Sequence, residues 1–377
     1  MSRPLAKGWC PGAYKPMMSG DGLVVRVRPM MARLTLEQAL GLCDISSDFG
    51  SGLIDLTSRA NLQIRGVTEQ DHETVLNALA DLGMLPDDPE LESRRNILVP
   101  PLWTTGDDTE QITHDLVSRL GDLPELPPKM GVAVDVAGAP QFANDSADFR
   151  FERSTDDALI LRADGASGGR PIEVETAVDA LIEMANWFVN TDGPSRRRMA
   201  AHTAVTHLPP EWQASLPASP CKQLVPGKTA LGSVLGVEFG QIEAKKLRQL
   251  ITDTDATALR VTPWRLFLLE GVDHVDTDHF ITAANDPLLT TTACPGAPLC
   301  PSATVETRHL AHTLAQRTTG PLHVSGCSKG CAHPRTCATT LVGRDGAFDL
   351  VKNGTPWDAP FKTGLTPDTL TTALGEL

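Results

Sequence analysis

The apolar and polar positions in the first part of the chain follow two repeating patterns, one typical of a strand and one typical of a helix. Residues 23–28 favour a strand, and residues 35–46 repeat their apolar positions with helical spacing behind Thr35, a typical N-cap residue. Residues 52–67 predict one long second strand, and the residues that follow predict a second helix ending near Gly83. This part of the chain therefore predicts a β-α-β-α unit.

A similar pattern recurs 205 residues later. Residues 232–240, 242–254 and 256–272 again predict a strand, a helix and a strand. An ungapped offset of 205 aligns three identical pairs: Thr57 with Thr262, Gly66 with Gly271, and Val67 with Val272. The shared order of elements favours a duplicated fold.

The segments between and after these two units predict mixed structure. In chain order they comprise a strand at 130–138, a hairpin at 149–165, a helix at 172–191, a proline-rich connector at 215–228, a helix at 303–317, a strand at 322–326 and a short C-terminal helix. The chain therefore predicts an α+β protein in which each unit is followed by an α/β lobe.

Length and charge narrow the class of protein. The 377 residues are enough for about two or three domains. The 33 basic and 47 acidic residues give a net charge of -14, which disfavours nucleic acid and anionic membrane surfaces as partners. No apolar run reaches the roughly 20 residues that cross a bilayer, and the N-terminus lacks the apolar segment of a secretion signal. We therefore expect a cytoplasmic protein without membrane contact, whose thiols stay reduced.

Four cysteines form two close pairs in loops rich in glycine, serine and proline. Five residues separate Cys294 from Cys300, and three separate Cys327 from Cys331. Four thiolates from two loops match the ligand set of a [4Fe–4S] cluster. Structural zinc and four unrelated buried thiols are the alternatives, although five intervening residues are wide for paired zinc ligands. The remaining cysteines fit structural roles: Cys10, Cys43, Cys221 and Cys337.

The second predicted strand has two unlike faces. Alternation with period two places Ala60, Leu62 and Ile64 on one face. The opposite face carries guanidinium and amide groups, and the preceding strand adds Arg26 and Arg28: Arg59, Asn61, Gln63 and Arg65. Because arginine binds carboxylates through two parallel N–H groups, this face predicts an anion-binding surface. A solvated sheet face is the alternative.

Together these features resemble the sulfite/nitrite reductase superfamily. The resemblance rests on the cysteine spacings and on the motif TSRANLQ at 57–63, and it spans nearly the whole chain. It implies two ferredoxin-like half-domains related by a pseudo-twofold axis, each followed by an α/β lobe. The implied segments are 15–83, 84–218, 222–283 and 284–377. It also implies that two further residues bind an anionic ligand: Arg95 in SRRNILVPP and Lys129 in LPPKMGVAV.

Within that superfamily the chain resembles the precorrin-3B synthase branch. The opening WCPGAYKPMM and the loop KGCAHP carry this resemblance, and Gly131 stands where the reductases have a second lysine. It implies a monooxygenase of aerobic cobalamin biosynthesis. Such an enzyme uses O2 to hydroxylate precorrin-3A beside ring A, while an acetate side chain closes a γ-lactone to give precorrin-3B.

The same resemblance implies the cofactors and the electron donor. The cofactors are a [4Fe–4S] cluster, held by the paired cysteines, and a mononuclear non-haem iron. Electrons come from NADH through a separate reductase, since no G-x-G-x-x-G fingerprint follows a strand here. Two histidines and a carboxylate commonly hold such an iron. The candidates, each of which also fits a solvated polar residue, are Glu306, His309, His312, His274, His279 and His333.

Two other functions stay open at the level of sequence. One is a sirohaem-dependent sulfite or nitrite reductase, in which Cys331 would bridge the cluster and the sirohaem iron. The other is a non-catalytic iron–sulfur electron carrier, which would leave the arginine face unexplained. The visible bands of sirohaem identify the first alternative, and an absence of tetrapyrrole binding favours the second.

Overall fold

The computed structural model describes residues 11–370, and no helix within them is long and apolar enough to cross a membrane. The first half-domain alternates short strands with two helices. Its elements are β1 (Met17–Ser19), β2 (Gly22–Val27), β3 (Arg33–Thr35), α1 (Leu36–Phe49), β4 (Leu53–Leu56), β5 (Leu62–Val67) and α2 (His72–Asp81).

The predicted start of the first helix is confirmed. The Thr35 hydroxyl oxygen accepts the Gln38 N–H at 3.2 Å, and the Gln38 side-chain oxygen accepts the Thr35 N–H at 3.0 Å. This reciprocal pair satisfies two N–H groups that the first turn of a helix leaves without partners. The second helix ends at Asp81, shortly before Gly83, whose φ is 65°.

The stretch 52–67, predicted as one strand, is instead a hairpin of β4 and β5. Ala60 has a φ of 52°, and the Thr57 hydroxyl oxygen accepts the N–H groups of Arg59 and Asn61 at 3.3 and 3.2 Å. This turn reverses the chain. The prediction of a continuous strand is therefore wrong. Arg59 and Asn61 lie in the turn and do not share a strand face with Gln63 and Arg65 of β5.

The middle lobe contains a mixed sheet covered by helices. Its elements are α3 (Pro89–Arg94), β6 (Ile97–Leu98), α4 (Asp108–Ser118), β7 (Val132–Asp135), β8 (Phe149–Arg153), β9 (Leu159–Ala163), β10 (Arg170–Pro171), α5 (Ala177–Asn190), α6 (Gly193–Arg196) and α7 (Met199–Thr203). The predicted hairpin is the antiparallel pair β8–β9, and the predicted apolar helix is α5.

The second half-domain repeats the first. Its elements are β11 (Gly227–Lys228), β12 (Gly232–Gly236), β13 (Gln241–Glu243), α8 (Ala244–Thr252), β14 (Ala258–Val261) and β15 (Leu266–Glu270). The turn between β14 and β15 copies the earlier one: Arg265 has a φ of 60°, and the Thr262 hydroxyl oxygen accepts the N–H groups of Trp264 and Leu266 at 3.2 and 3.3 Å. The predicted duplication is confirmed, although here too a hairpin replaces the single predicted strand.

The two half-domains exchange their edge strands. The first sheet has the order β1-β2-β5-β4-β13, and the second has the order β11-β12-β15-β14-β3. Ile242 of the second half thus pairs with Ile54, and Leu34 of the first half pairs with Leu259. Helices α1 and α8 pack against each other. This reciprocal arrangement joins the halves into one core, while the predicted segment boundaries stay a prediction.

The last lobe is a second mixed sheet. Its elements are β16 (Thr291–Ala293), α9 (Arg308–Ala315), β17 (Leu322–Ser325), β18 (Cys337–Arg344), β19 (Ala347–Gly354) and β20 (Lys362–Leu365), and the sheet follows the order β16-β17-β18-β19-β20. Sequence reasoning missed β18 to β20. The signal was Asp345-Gly346 between two apolar segments, a hairpin dipeptide whose φ values are 49° and 80°. Most of the predicted C-terminal helix lies outside the described residues.

Candidate functional site

The two cysteine loops leave neighbouring strands at the same edge of the last sheet. β16 and β17 are parallel, with Thr291 opposite Leu322. Cys294 directly follows β16, and Cys327 lies two residues beyond β17. Because parallel strands end at the same edge, the two loops meet there. The Gly326 N–H joins them by donating to the Cys294 Sγ at 3.1 Å.

The other three predicted cluster cysteines lie close enough to the Cys331 thiol to act on it electrostatically. Burial raises the pKa of the Cys331 thiol, and the negative charges of the other three raise it further: Cys327, Cys294 and Cys300. The ammonium group of Lys329 acts in the opposite direction. The fold therefore gathers these four thiols from two loops.

The donor set and its surroundings fit a [4Fe–4S] cluster. A Cβ added to Gly326 would lie 2.6 Å from the Ala303 Cβ, so the glycine lets its N–H approach the Cys294 sulfur directly. Four cysteine thiols from two loops, with a backbone N–H donating to one of the sulfurs, are the donor set that such a cluster requires.

The other described cysteines lie away from these two loops in the sequence. Cys43 is buried on α1, and Cys337 is buried at the start of β18, where its thiol donates to the Pro321 carbonyl at 3.2 Å. Cys221 is exposed. The burial of Cys43 and Cys337 is typical of structural thiols, the exposure of Cys221 is not, and Cys10 lies outside the described residues.

A groove of about 510 Å³ connects the first half-domain with the cysteine lobe. Its lining includes side chains from both halves and from both cysteine loops: Gln63, Arg65, Arg265, Arg308, Cys294 and Cys331. The polar face of β5 and the cysteine pairs, which are more than 200 residues apart in the sequence, thus face one space.

Arg65 is held by two carboxylates. Its Nε and Nη2 donate to Asp21 at 2.8 and 2.7 Å, and its Nη1 donates to Asp55 at 2.9 Å. The side chain is 6% exposed, and those of the two acids are 8% and 15% exposed. The sequence-based interpretation placed no acid on this face. The structure shows that Arg65 ties β5 to β4 and to the β1–β2 hairpin.

That hairpin also touches the first cysteine loop. Gly20 lies so close to the Leu299 carbonyl that an added Cβ would collide with it. Leu299 precedes Cys300 in the chain. Because the Gly20 turn is anchored through Asp21 to Arg65, the ion pairs of the first sheet support the position of a cysteine loop.

The other predicted binding residues occupy two further places. Asn61 and Arg95 line a small cavity beside Arg28, and the Arg95 Nη2 donates to the Arg28 carbonyl at 3.0 Å. Burial lowers the pKa of Arg95. The Arg59 Nη2 donates to the Lys129 carbonyl at 2.8 Å. Of the six predicted residues, the two on β5 line the cysteine groove, and the other four lie in these two neighbouring groups.

The histidines proposed for an iron do not form one compact set. Glu306 and His309 line one surface cavity, and His309 also lines a second cavity with His279 and His312. In that second cavity the His312 Nδ1 lies 2.6 Å from a Glu238 carboxylate oxygen. The His333 Nε2 lies 3.4 Å from the Thr336 carbonyl oxygen. Two more of these histidines are exposed: His274 and His279.

Sequence reasoning missed His323, which lies fully buried on β17. Neither of its ring nitrogens has a hydrogen-bond partner in the part of the chain that the structure describes. Burial lowers its pKa to about 3, with a further effect from His333, whose ring centre is 5.7 Å away. The signal was an ionisable residue within an otherwise apolar strand.

Comparison with known proteins decides the family. The nitrite/sulfite reductase ferredoxin-like half domain matches residues 15–82. A precorrin-3B synthase from Sinorhizobium sp is 30% identical over 392 aligned positions, which cover 93% of this chain and 83% of that protein. The chain belongs to the precorrin-3B synthase family.

This member of the precorrin-3B synthase family is also similar to reductases. A ferredoxin–nitrite reductase from Synechococcus elongatus is 23% identical, covering 89% of this chain and 78% of that protein. The structure of the Mycobacterium tuberculosis NirA protein superimposes with a TM-score of 0.64 at 17% identity, covering 93% and 79% of the two chains. The predicted α+β fold of the reductase superfamily is confirmed.

Proposed function

We propose that the protein uses O2 to hydroxylate precorrin-3A at a meso carbon beside ring A and to close a γ-lactone from an acetate side chain, which gives precorrin-3B. The observation that carries this proposal is the 30% identity to a precorrin-3B synthase over 93% of the chain. A groove lined by arginines and by the paired cysteines supports it, because precorrins are polycarboxylated macrocycles.

The proposed substrate contacts come from the first half-domain and the middle lobe. Arginine and lysine side chains would bind the substrate carboxylates and fix the orientation of the macrocycle. The residues are Arg59, Asn61, Gln63, Arg65, Arg95 and Lys129. Of these, Arg65 already has two carboxylate partners, so its contribution is to position the sheet beside the groove.

The cofactors and partners of the proposal follow from its chemistry. Cys294, Cys300, Cys327 and Cys331 would hold the [4Fe–4S] cluster. Bound iron centres supply single-electron transfer and oxygen activation, which no protein side chain provides. Monooxygenation places one oxygen atom in the product and reduces the other to water. Each turnover therefore needs two electrons, for which we propose NADH and a separate reductase.

Cofactor content distinguishes this function from its nearest alternative. We expect anaerobically purified protein to contain iron beyond that of one [4Fe–4S] cluster and no sirohaem. Iron and sulfide analysis, EPR and the visible spectrum measure both. Stoichiometric sirohaem together with sulfite or nitrite reduction would instead establish the reductase, which the similarity to a nitrite reductase favours as second candidate. A cluster without tetrapyrrole binding would indicate an electron carrier.

The role of Arg59 is tested with two variants: alanine removes its charge, and lysine keeps the charge but removes the paired N–H groups of the guanidinium. We expect Arg59→Ala to weaken precorrin-3A binding by about 1.5–3 kcal/mol, roughly ten- to a hundredfold, because a charged hydrogen-bonding group is lost. Arg59→Lys should recover part of the affinity, since a point charge cannot replace a bidentate group. Tetrapyrrole titration and iron analysis of both variants provide the measurement. Unchanged affinity in both would exclude Arg59 from the substrate site.

A further inference from the structure

Arg308 enters the cysteine groove from the last lobe. It is the first residue of α9, eight residues beyond Cys300, and its half-buried side chain lines the groove together with Cys294 and Cys331. The predicted arginine face belongs to the first half-domain, so Arg308 brings a guanidinium from a different lobe to the same groove, where it lies near Arg65 and Asp55.

The charge of Arg308 has no close carboxylate partner among the residues that the structure describes. One of its Nη atoms donates to the neutral side-chain oxygen of Gln241, and its buried Nε has no partner within residues 11–370. The nearest acids, Asp55 and Glu238, act on it through space and have other partners: Asp55 binds Arg65 and Gln241, and Glu238 binds His312. Burial lowers the pKa of Arg308.

Arg265 adds a second such charge to the same groove. Its two Nη atoms donate to the backbone carbonyls of Thr291 and Leu289 at 2.7 and 2.6 Å. No described carboxylate forms an ion pair with it, and burial lowers its pKa to about 10. Two cations without carboxylate partners cost free energy, which the thiolates of the proposed cluster and a bound anion would together offset. Although the chain carries a net charge of -14, Arg265 and Arg308 place two positive charges where the groove meets the cysteines.

We propose that Arg308 binds a carboxylate of the tetrapyrrole substrate on the cysteine side of the groove, with Arg265 supplying a second positive charge. The identity of the ligand rests on the proposed function, whereas the anion-binding role rests on the geometry of this groove. The buried Nε of Arg308 lacks a hydrogen-bond acceptor among the described residues, and a carboxylate that binds the adjoining Nη would supply one. Arg308 would thus add a contact from the last lobe to those that the first half-domain makes with the macrocycle.

The test uses the full-length protein, purified anaerobically with its cluster, and uroporphyrin III as a fluorescent octacarboxylate probe. We expect Arg308→Gln to raise the Kd of the probe about ten- to a hundredfold, since a charged hydrogen-bond donor is lost. Arg308→Lys should give an intermediate Kd. The matched control is Arg317→Gln, which removes an equal charge from an exposed position just beyond α9 and should leave the Kd unchanged. Iron content and thermal unfolding verify that each variant is folded.

The outcomes separate this inference from the proposed function. Tight binding by the wild type with an unchanged Kd in Arg308→Gln would overturn the role of Arg308 and leave the proposed function standing. No probe binding by the wild type would overturn both. A parallel titration with sulfite separates the two sources of an anion: loss of sulfite affinity with unchanged probe affinity would assign Arg308 to a small oxyanion instead. If Arg308→Gln does not fold, a wild-type Kd in Arg308→Lys would overturn the proposal.

Discussion

Serine at any one of the four paired cysteine positions is expected to abolish the iron–sulfur signal and to reduce precorrin-3B formation to background. The fold brings Cys294, Cys300, Cys327 and Cys331 together from two loops that end neighbouring parallel strands. A serine hydroxyl is a poor replacement for a thiolate, which is the ligand that iron–sulfur clusters require. EPR of the reduced protein, together with iron and sulfide analysis, measures the loss.

The exposed Cys221 provides the control for this series. Cys221→Ser changes the same atom at a site remote in sequence from both loops, and it should keep the full cluster signal. The buried Cys337 tests thiol loss in the same lobe: its hydrogen bond to the Pro321 carbonyl can be made by serine, so the cluster should persist. If three of the four single variants keep a signal of full intensity, the ligand assignment is wrong.

Replacement of Arg65 by alanine is expected to destabilise the fold by about 3–5 kcal/mol, because it leaves two largely buried carboxylates without their cation. Asp21 and Asp55 are 8% and 15% exposed and receive three hydrogen bonds from this guanidinium. Denaturant unfolding of the purified variant measures the change. Because the Gly20 turn carries Asp21 and lies against Leu299, we also expect a lower iron content per chain.

An exposed ion pair gives the comparison for this second variant. Lys228 and Asp273 are 62% and 77% exposed, so Lys228→Ala should change the unfolding free energy by at most about 1 kcal/mol. A stability of Arg65→Ala equal to that of the wild type, combined with weaker tetrapyrrole binding, would contradict the structural role. Arg65 would then act as a direct ligand for the substrate anion, as the strand-face interpretation first indicated.

Features that depend on neighbouring residues were readable in the sequence. Thr35 caps its helix through Gln38, three positions away, and the repeat at an offset of 205 carries the same Thr57 and Thr262 turns. The cysteine spacings indicated a cluster because ligand loops are short and their donors lie a few residues apart. The turn at Ala60 was missed, because a non-glycine residue with positive φ has no signature in an alternating pattern.

The tertiary structure decided how distant residues are partnered. Strand exchange between the halves places Gln241 beside Asp55, and the β1–β2 hairpin brings Asp21 to Arg65, so a side chain predicted to bind an external anion is neutralised internally. Arg308 is the converse case. The sequence offered no reason to select it, yet the fold places it in the cysteine groove without a carboxylate partner among the described residues. Sequence periodicity specifies which face a side chain occupies. Whether an oppositely charged group lies beside that side chain depends on contacts between residues far apart in the chain, which only the packed structure determines.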